Sequence, residues 1–478
     1  SYRQVNVILI TQASSEHSIT VGVQSSEADA AQRILEEEFE PDMTLGRIEP
    51  IKIETGLAIV ALVGDKMRKH TGISGTTFHT LGRNDVNIRA IAQGSSERII
   101  SIVIEETDVA KSMQALHEAF FESELKRVNI FAVGVGNVGG TLIEQIKIQQ
   151  DVLRKRLGID LRVVALANSK KILIQEDGID LDDWRNALKK CENNYELAKL
   201  PQIIKELNLR NSVFIDNTAH EVVSDLYPHL LSHSIAVIAS NKIAASQSMD
   251  HYLQLKKLAS KHHVPFLYET NVGAGLPIID TIQNIVSSGD EITEIQAILS
   301  GSLNFIFNKF SDEVSFGEIV QQAMDGGYTE PDPRIDLSGV DVQRKILILA
   351  REAGEKMEME AIENVPFLLQ EVMEGKADGF LDRLRNAESP MKEKYLAAKA
   401  AGKKLKYAAQ LKNGEAQVGL MEVAQDHPFF NIAGKDNIVL IYTKRYVEQP
   451  LVIKGAGAGA EVTAMGVFAD IIRFANRQ

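Results

Sequence analysis

The sequence contains one cysteine, Cys191, and one tryptophan among 478 residues. A single cysteine excludes an intrachain disulfide and a metal site built from several thiolates, and it suits a reducing cytoplasm. No apolar run approaches the roughly 18 residues of a membrane-spanning helix, and the first residues, SYRQVNVILITQ, lack the layout of a signal peptide. We therefore expect a cytoplasmic protein that has no membrane as a partner.

Positive charge is also in short supply. The 52 Lys and Arg residues face 65 Asp and Glu residues, which gives a formal net charge of −13. Phosphate backbones and anionic lipid require a basic surface, so nucleic acid and membranes are excluded as the main partners. The composition is that of a globular chain, with 44% hydrophobic residues, and the length allows several domains.

The N-terminal part contains an internal repeat. Val5–Val23 aligns with Val86–Ile104, and both copies carry VN(V/I) followed by Q-x-S-S-E. Each copy predicts a strand, a polar turn and a second strand. A helix is predicted after each copy, over Ala28–Phe39 and Asp108–Phe121.

A further strand, Leu57–Val63, and a helix over Gly75–Gly82 precede the second copy. The full unit is then β-α-β-β-α-β, a ferredoxin-like arrangement. The first copy lacks its opening strand and helix, so we expect the chain to begin inside that unit.

This segment resembles the tandem ACT domains of aspartokinases, most closely over LVGDKMRKHTGISGTTFHTLGRNDVNIRAIAQGSSE. The resemblance implies that an effector amino acid binds between the repeats. Gln12 and Gln93 would contact it, with Asn6 and Asn87 nearby. The alternative is that these side chains only shape the hairpin turns, which is our interpretation of the turn serines 14, 15, 95 and 96.

A dinucleotide-binding fingerprint follows a charged hinge. The predicted strand Val128–Val133 leads into Gly134-Val-Gly136-Asn137-Val138-Gly139-Gly140 and a helix through Ile148. In this context the first glycine permits the turn, the second lets a pyrophosphate approach the backbone, and Gly139 permits close packing of helix on strand. The helix N-terminus supplies positive potential for the phosphates.

The next predicted strand, Leu161–Ala167, ends in Asn168-Ser169-Lys170-Lys171. An enzyme restricted to NAD usually has an acidic residue there to hold the ribose 2′-hydroxyl, so this pattern favours NADP over NAD. Two later strands end in polar residues at the same expected edge of a parallel sheet. Thr218 follows one strand and Lys242 the other, with a helix cap and a solvated lysine as the respective alternatives.

The stretch GYTEPDPRIDLSGVDVQRK crowds charges around two prolines, directly before the apolar run ILILA. The prolines disfavour helix before them, so a helix is predicted from about Ser338 to Glu352. Asp341 and Lys345 then lie one turn apart on the same face. The alternative is an ordinary surface ion pair, worth about 0.3–0.5 kcal/mol. A lysine desolvated beside a carboxylate suits proton transfer.

Three further segments, ETNVGAGLP, GSLNFI and GAGAGAEVT, complete a resemblance to homoserine dehydrogenase over about residues 126–478. With the ACT pair, the chain is similar to the regulatory and dehydrogenase portion of a bifunctional aspartokinase–homoserine dehydrogenase, without a kinase domain. The resemblance implies reversible NAD(P)H-dependent reduction of L-aspartate 4-semialdehyde to L-homoserine, in threonine and methionine biosynthesis. Threonine is then the natural effector, and a homodimer or homotetramer is expected.

Site residues carried over by this resemblance fall into four roles. Lys345 would transfer the proton, Asp341 would bind substrate and tune the lysine, and Lys242 would lie between nicotinamide and substrate. Glu330 and Asp336 would hold the substrate ammonium or order the loop. A sodium-like cation would be held by Glu269 and by the main-chain carbonyls of Val272, Ala274 and Leu276, with a plain glycine-rich turn as the alternative. The cofactor would be contacted by Gly134, Gly136, Asn137, Val138, Gly139, Asn168, Ser169, Lys170, Thr218, Lys242, Gly327 and Gly459.

The expected fold class is α/β and α+β. An ACT pair over residues 1–122 would precede a Rossmann-type domain of residues 126–270 plus 454–478, and residues 271–453 would bind substrate and form the dimer. One alternative is a catalytically inactive amino-acid sensor. Another is a phosphorylating semialdehyde dehydrogenase, which needs a cysteine nucleophile, whereas Cys191 lies in the polar stretch KKCENNYE.

Overall fold

The computed structural model describes residues 5–12, 18–64, 71–93, 99–121, 125–191, 196–376 and 379–477. The chain divides into two compact units. The first comprises Ser1–Leu125 with Lys205–Arg210, and the second comprises Lys126–Ile204 with Asn211–Gln478. Within the described ranges, every helix is too short or too polar to cross a membrane.

The first unit contains two small antiparallel sheets and three helices. Its elements are β1 Val7–Gln12, β2 Ile19–Val23, α1 Ala28–Thr44, β3 Leu57–Val63, α2 Ile73–Arg83, β4 Ala90–Gln93, β5 Ile99–Glu105 and α3 Val109–Phe121. β1 pairs with β2, and the second sheet has the order β3-β5-β4. Leu81, Ile100, Ile102 and Ile104 are almost fully buried and form the centre of its core.

The predicted repeat of hairpin and helix is confirmed in both copies. β3 and the second copy of the repeat form one sheet of order β3-β5-β4. The third strand of this unit, β5, therefore lies between the first and the second, as in a ferredoxin-like unit. The predicted closing strand is wrong for the described residues, because the strand after α3 joins the parallel sheet of the second unit instead. The four turn serines lie outside the described residues.

The second unit begins with a six-stranded sheet that is parallel except for one edge strand. Its order is β11-β10-β9-β6-β7-β8, and β8 runs antiparallel to β7. The strands are β6 Lys126–Val133, β7 Ile159–Ala167, β8 Ile172–Ile174, β9 Ser212–Asp216, β10 Ala236–Ala239 and β11 Phe266–Leu267. The strands are almost wholly apolar and buried, as is typical of a parallel sheet covered on both faces.

Helices pack around this sheet. They are α4 Asn137–Leu157, α5 Trp184–Lys190, α6 Leu200–Leu207, α7 Glu221–Ser224, α8 Tyr227–Ser232, α9 Ile243–Ser246 and α10 Met249–Lys261. The fingerprint helix runs past its predicted end at Ile148 to Leu157. The chain leaves β6 toward β7 on one side and returns to β9 on the other, so the carboxyl ends of β6 and β9 flank the topological switch point.

The remainder of the second unit surrounds a second six-stranded sheet of order β13-β15-β14-β12-β16-β17. Its strands are β12 Ile292–Ile298, β13 Glu363–Asn364, β14 Lys404–Lys412, β15 Glu415–Val423, β16 Asp436–Thr443 and β17 Leu451–Ala456. Its helices are α11 Ile279–Ser287, α12 Gly301–Lys309, α13 Phe316–Asp325, α14 Arg334–Leu337, α15 Val340–Glu352, α16 Gln370–Met373, α17 Phe380–Asn386 and α18 Ser389–Ala400. The last helix, α19 Ala460–Asn476, returns to pack on α4 and the parallel sheet.

The strongly charged sequence from Glu352 to about Lys412 predicts a helix-rich segment. This prediction is wrong at the end of the segment, where β14 lies at the centre of this sheet. Its sequence, KLKYAAQLK, appears polar because of its lysines. Lys406 is nevertheless 1% exposed and sends its ammonium to the side-chain oxygen of Asn308 and the carbonyl of Ile432.

Candidate active site

The charged pair of α15 is formed by a helix whose start is fixed by glycine. Gly339, the residue before α15, has φ +72°, and a Cβ there would lie 1.9 Å from the Tyr407 hydroxyl oxygen. The helix then buries its apolar run Ile346–Ala350 completely. This packing fixes the rotation of the helix, so that Asp341 contacts both Lys345 and Lys242.

Asp341 binds two lysines at once. Its Oδ2 is 2.7 Å from the Lys345 Nζ, and its Oδ1 accepts a hydrogen bond of 3.0 Å from the Lys242 Nζ. Lys345 also donates to the carbonyl oxygen of Leu299 at 2.6 Å and is only 8% exposed. The surface ion pair considered for the sequence is therefore wrong, and so is the solvated loop position for Lys242.

The electrostatics of this cluster bring a lysine toward neutrality. Burial lowers the pKa of Lys345 from its usual value of 10.5, and the positive charge of Lys242 lowers it further. The carboxylates of Asp341 and Asp336 oppose this shift without cancelling it. Burial by itself would raise the pKa of Asp341, but Lys345 and Lys242 hold that pKa far below its usual value. Asp341 therefore stays ionised beside an ammonium that loses its proton more easily than a free lysine.

The loop before α15 is organised around Asp336. Its Oδ1 accepts a hydrogen bond from the Ser302 hydroxyl, and its Oδ2 accepts one from the Glu330 backbone N–H, both at 2.8 Å. The carboxylate of Glu330 itself is exposed. Asp332 and Arg334 form a local pair at 2.6 Å. Contrary to the expectation of an irregular loop up to Ser338, the one-turn helix α14 begins directly after Pro333.

Lys242 and Thr218 are positioned by a buried carboxylate that the sequence analysis did not single out. Asp216, the last residue of β9, is fully buried. It accepts hydrogen bonds from the Tyr227 hydroxyl at 2.6 Å, the Asn241 amide at 3.0 Å and the Thr218 backbone N–H at 2.7 Å. The sequence signal for Asp216 is its position as the acidic residue that ends a buried apolar strand. The cap role considered for Thr218 is wrong, because His220 caps α7.

The fingerprint glycines each meet a different steric demand. Gly134 has φ +88°, and a Cβ on it would lie 2.7 Å from the carbonyl carbon of Asn217. A Cβ on Gly139 would lie 1.9 Å from the Gly134 oxygen, whereas one on Gly136 meets nothing within 4 Å. Asn137 begins α4, and Val138 packs against the core of the parallel sheet. The loop is thus tight where helix and strand meet and open at Gly136, which fits the approach of a pyrophosphate.

At the end of β7, Asn168 folds the loop back on itself. Its Oδ1 accepts hydrogen bonds from the backbone N–H groups of Lys170 and Lys171, both at 2.8 Å. Ser169 and Lys170 are exposed. The Lys171 ammonium donates to the carbonyl of Lys189 at 2.5 Å, at the end of α5. Lys170 is therefore the lysine of this loop that faces solvent.

The proposed cation turn has a buried glutamate whose carboxylate is already engaged. Glu269 is 5% exposed and accepts hydrogen bonds from the backbone N–H groups of Ile279 and Asp280, the first residues of α11, at 2.7 and 2.9 Å. Arg473 on α19 lies 3.3 Å away and also pairs with Asp470 at 3.0 Å. Burial raises the pKa of Glu269, and these partners oppose the shift. Main-chain carbonyls, among them those of Val272, Ala274 and Leu276, are therefore the oxygens that this turn can offer a cation.

Two further glycines of the predicted cofactor set have positive φ angles. Gly327 follows α13 with φ +64°, and Gly459 precedes α19 with φ +124°. Both conformations favour glycine for steric reasons alone. Their contact with a cofactor therefore stays a prediction.

The predicted effector residues lie at strand ends in the first unit. Gln12 ends β1, Gln93 ends β4, and the Thr11 hydroxyl donates to the Ile91 carbonyl at 3.0 Å, so the two strands are neighbours. Asn6 and Asn87 precede these strands and are exposed. At roughly 3.3 Å per residue, Asn6 lies about 20 Å from Gln12 at the other end of β1. A single bound amino acid is therefore too small to contact both Asn6 and Gln12.

Comparison with known proteins agrees with the geometry. The family model described as "Homoserine dehydrogenase" matches residues 277–472, that described as "Homoserine dehydrogenase, NAD binding domain" matches residues 134–269, and that described as "ACT domain" matches residues 1–39 and 60–120. Homoserine dehydrogenase of Schizosaccharomyces pombe is 38% identical over 72% of this chain and 95% of its own length.

Longer relatives match almost the whole chain. Bifunctional aspartokinase/homoserine dehydrogenase of Haemophilus influenzae is 41% identical over 98% of this chain, and enzyme 1 of that name from Arabidopsis thaliana is also 41% identical over 98%. The chain spans only 57% and 52% of their lengths, about half of each relative.

Among solved structures, a Candida auris protein of unknown function has a TM-score of 0.68 and 33% identity, over 74% of this chain and 99% of its own. A hyperthermophilic archaeal homoserine dehydrogenase in complex with NADPH has a TM-score of 0.58 at 24% identity, over 74% and 98%, and shows the fold alone. The chain belongs to the homoserine dehydrogenase family, and it carries an NAD-binding domain and an ACT domain.

Proposed function

We propose that this chain interconverts L-homoserine and L-aspartate 4-semialdehyde with a nicotinamide cofactor. The observation that carries the proposal is the charged cluster in which buried Lys345 and partly exposed Lys242, just after β10, both pair with the half-exposed carboxylate of Asp341. Alcohol oxidation requires a group that removes the hydroxyl proton, and a desolvated lysine with a lowered pKa supplies one. When bound, the cofactor supplies the hydride acceptor or donor.

Each charged residue has a distinct task in this proposal. Lys345 takes the hydroxyl proton of homoserine through Nζ, or returns it to the carbonyl oxygen in the reverse direction. Asp341 keeps that ammonium oriented and, with Asp336 and the exposed carboxylate of Glu330, offers the negative charge that the substrate ammonium needs. Lys242 adds positive potential where an alkoxide develops.

The test compares two buried lysines. Lys345→Met and Lys406→Met both remove an ammonium from the interior, but only Lys345 lies in the charged cluster. Homoserine-dependent reduction of NADP should fall by roughly 10²–10⁴-fold in Lys345→Met, the contribution typical of a general base, and by little in Lys406→Met. Melting curves verify that both variants fold. Activity retained in Lys345→Met would remove the proposed role.

We further propose NADP rather than NAD as the preferred cofactor. Asn168, Ser169 and Lys170 present neutral donors and one exposed cation where an NAD-specific enzyme has a carboxylate. Gly134, Gly136, Asn137, Val138, Gly139 and Thr218 would line the phosphate side. Replacing Lys170 with Glu should weaken NADPH binding far more than NADH binding in a fluorescence titration, and equal losses would contradict the preference.

A monovalent cation such as sodium is proposed to order the Glu269 turn through main-chain oxygens. The expected effect is structural, because the carboxylate of Glu269 is tied to α11 and Arg473. Exchanging sodium for a bulky organic cation at constant ionic strength should lower the melting temperature. No difference between the two salts would contradict the proposal.

The ACT domain is proposed to bind threonine in contact with Gln12 and Gln93. Threonine should raise the melting temperature of the wild type, and this shift should disappear in Gln93→Ala. Gln32, on α1 of the same unit, hydrogen-bonds Glu36 at 2.8 Å, so Gln32→Ala is the matched control. A shift that survives in Gln93→Ala would exclude that glutamine, and a threonine response without any turnover would favour the inactive sensor.

Assembly and location remain proposals as well. A homodimer or homotetramer is expected to appear in sedimentation velocity, and a monomer at micromolar concentration would contradict it. The cytoplasmic location indicated by the single cysteine stays a prediction, tested by fractionating cells that express the tagged protein.

A further inference from the structure

The far end of α15 contains a second buried cation. The side chain of Arg351 is completely buried, ten residues beyond Asp341 on the same helix. Its Nε and Nη2 donate to the Met357 carbonyl at 3.1 and 3.0 Å, and Nη2 also pairs with Glu358 at 3.0 Å. Two of the three guanidinium nitrogens, Nε and Nη2, are therefore hydrogen-bonded within this region of the chain.

That remaining nitrogen, Nη1, reaches across to the nucleotide-binding half. It donates to the carbonyls of Ala245 at 2.9 Å and Gln247 at 2.6 Å, which lie at the end of the one-turn helix α9. Glu358 extends the same contact, because its Oε1 accepts from the Met249 N–H at 2.9 Å. Terminal carbonyls of a helix lack intrahelical partners, so Arg351 satisfies groups that would otherwise be buried without one.

Lys242 is the residue from which α9 begins, since the N–H of Ser246 donates to the Lys242 carbonyl at 3.1 Å. The short segment from Lys242 to Gln247 is therefore held at both ends by α15. Asp341 holds its start, and Arg351 holds its end. Asp341 and Arg351 are separated by about 15 Å along the axis of α15. A single turn is not stable as an isolated helix, so its geometry depends on tertiary contacts. These include the two contacts with α15, the burial of Ala244 and Ala245, and the hydrogen bond from the Ile243 N–H to the Asn241 side chain.

We propose that Arg351 is a positioning residue that keeps Lys242 against Asp341, and thereby next to Lys345. The proposal rests on the proposed function of the site, in which Lys345 moves the proton. The Lys242 side chain is one-third exposed and its hydrogen bond to Asp341 is 3.0 Å, so loosening α9 lets this side chain move toward solvent. Displacements of about 1 Å at a reacting centre are enough to cost roughly 100-fold in rate.

The same displacement has an electrostatic signature. The charged groups that act on Lys345 are Asp341, Asp336 and Lys242, and Lys242 is the one whose charge lowers the pKa of Lys345. If Lys242 moves away, that pKa rises. Homoserine oxidation requires the neutral amine, so the acidic limb of its pH profile should move to higher pH.

The test uses the full chain, four single variants and one double variant. Arg351→Lys keeps the charge but loses the planar fork, and Glu358→Gln perturbs the same contact more gently. Arg383→Lys is the matched control, because Arg383 also donates to two backbone carbonyls, those of Val372 and Lys376, within the substrate half. Lys242→Met, alone and combined with Arg351→Lys, completes a double-mutant cycle.

We expect Arg351→Lys to lower kcat by about 10-fold or more and to shift the acidic limb of the pH profile to higher pH. Glu358→Gln should shift the acidic limb in the same direction by a smaller amount. Lys242→Met should give the same shift, and the double variant should shift no further. A lower melting temperature with an unchanged pH profile, or shifts that add in the double variant, would overturn the proposal.

Failure of the proposed function is recognised separately, as absent homoserine turnover in the wild type or full activity in Lys345→Met. In that case the titration of Lys345 is followed by NMR in protein labelled with [ε-13C]lysine. Its pKa should rise in Arg351→Lys and stay constant in Arg383→Lys. An unchanged pKa in Arg351→Lys would overturn the positioning role by itself.

Discussion

Removing the hydroxyl of Tyr227 tests the buried carboxylate at the switch point. Tyr227 is fully buried, and its hydroxyl donates to Asp216 at 2.6 Å. Its ring packs edge-on against Phe214 and Phe266, with centroids 6.3 and 5.7 Å away. Tyr227→Phe therefore preserves the packing and removes one donor from a buried carboxylate that has two others.

The magnitude follows from the kind of bond that is lost. Hydrogen bonds to charged groups contribute about 1.5–3 kcal/mol. At about 2 °C per kcal/mol for a large unit, the melting temperature should fall by roughly 3–6 °C. The Asp216 network also anchors Thr218, a predicted cofactor contact, and Asn241, which precedes the predicted contact Lys242. The KM for NADP should therefore rise, while the pH profile set by Lys345 should remain in place.

The assay is differential scanning calorimetry followed by steady-state kinetics. Tyr395→Phe is the control, because Tyr395 is half-buried on α18 and its ring packs at a tilt against Phe310, with centroids 5.1 Å apart. This change should stay within about 0.5 kcal/mol, as is usual for substitutions outside buried networks. If Tyr227→Phe has the same melting temperature as the wild type, the Tyr227 hydroxyl does not contribute to stability through Asp216, and the reasoning is refuted.

Three further predictions concern separate parts of the second unit. Gly139→Ala should destabilise the fold, because its Cβ would lie 1.9 Å from the Gly134 oxygen, whereas Gly136→Ala should melt as the wild type does yet bind NADPH weakly in a fluorescence titration. Burial raises the pKa of Glu352, but Lys256 and donors that include Tyr252 outweigh it and hold the pKa below 4.5. Its stabilisation is thus present above pH 4.5 and lost as the pH falls through the lower folded value, so the difference in melting temperature between wild type and Glu352→Gln should narrow in acid. Burial lowers the pKa of Lys406 to about 8, so the folded state binds fewer protons than the unfolded state, and the wild type should gain stability relative to Lys406→Met from pH 8 to 10.5.

Each of these has a clear contrary outcome. Equal melting temperatures for the two alanine variants would show that the loop adjusts at Gly139 without cost. A constant difference between wild type and Glu352→Gln down to pH 3 would mean that the carboxylate does not titrate with folding in that range. A wild type that loses stability relative to Lys406→Met above pH 8 would reverse the sign of the linkage.

Periodicity and local motifs were enough to predict several elements. The continuous apolar run of β3 and the glycine pattern before α4 are both local signals. β3 lies where it was predicted, and α4 follows the glycines as predicted but extends beyond its predicted end. The spacing of Asp341 and Lys345 likewise needs only a helix to bring the two side chains together. Local patterns failed for β14, because the burial of its lysine depends on Asn308 and Ile432, which are distant in sequence.

The sequence by itself determined the fingerprint turn, the i, i+4 pair on α15 and the family to which the chain belongs, because each depends on neighbouring residues or on a run of motifs. Only the tertiary structure decided that Lys345 is buried, that Lys242 shares its carboxylate and that Arg351 holds the other end of the same segment. These contacts join residues about one hundred positions apart. Burial and charge coupling arise only when packing removes water from between such groups, and no local pattern encodes that event.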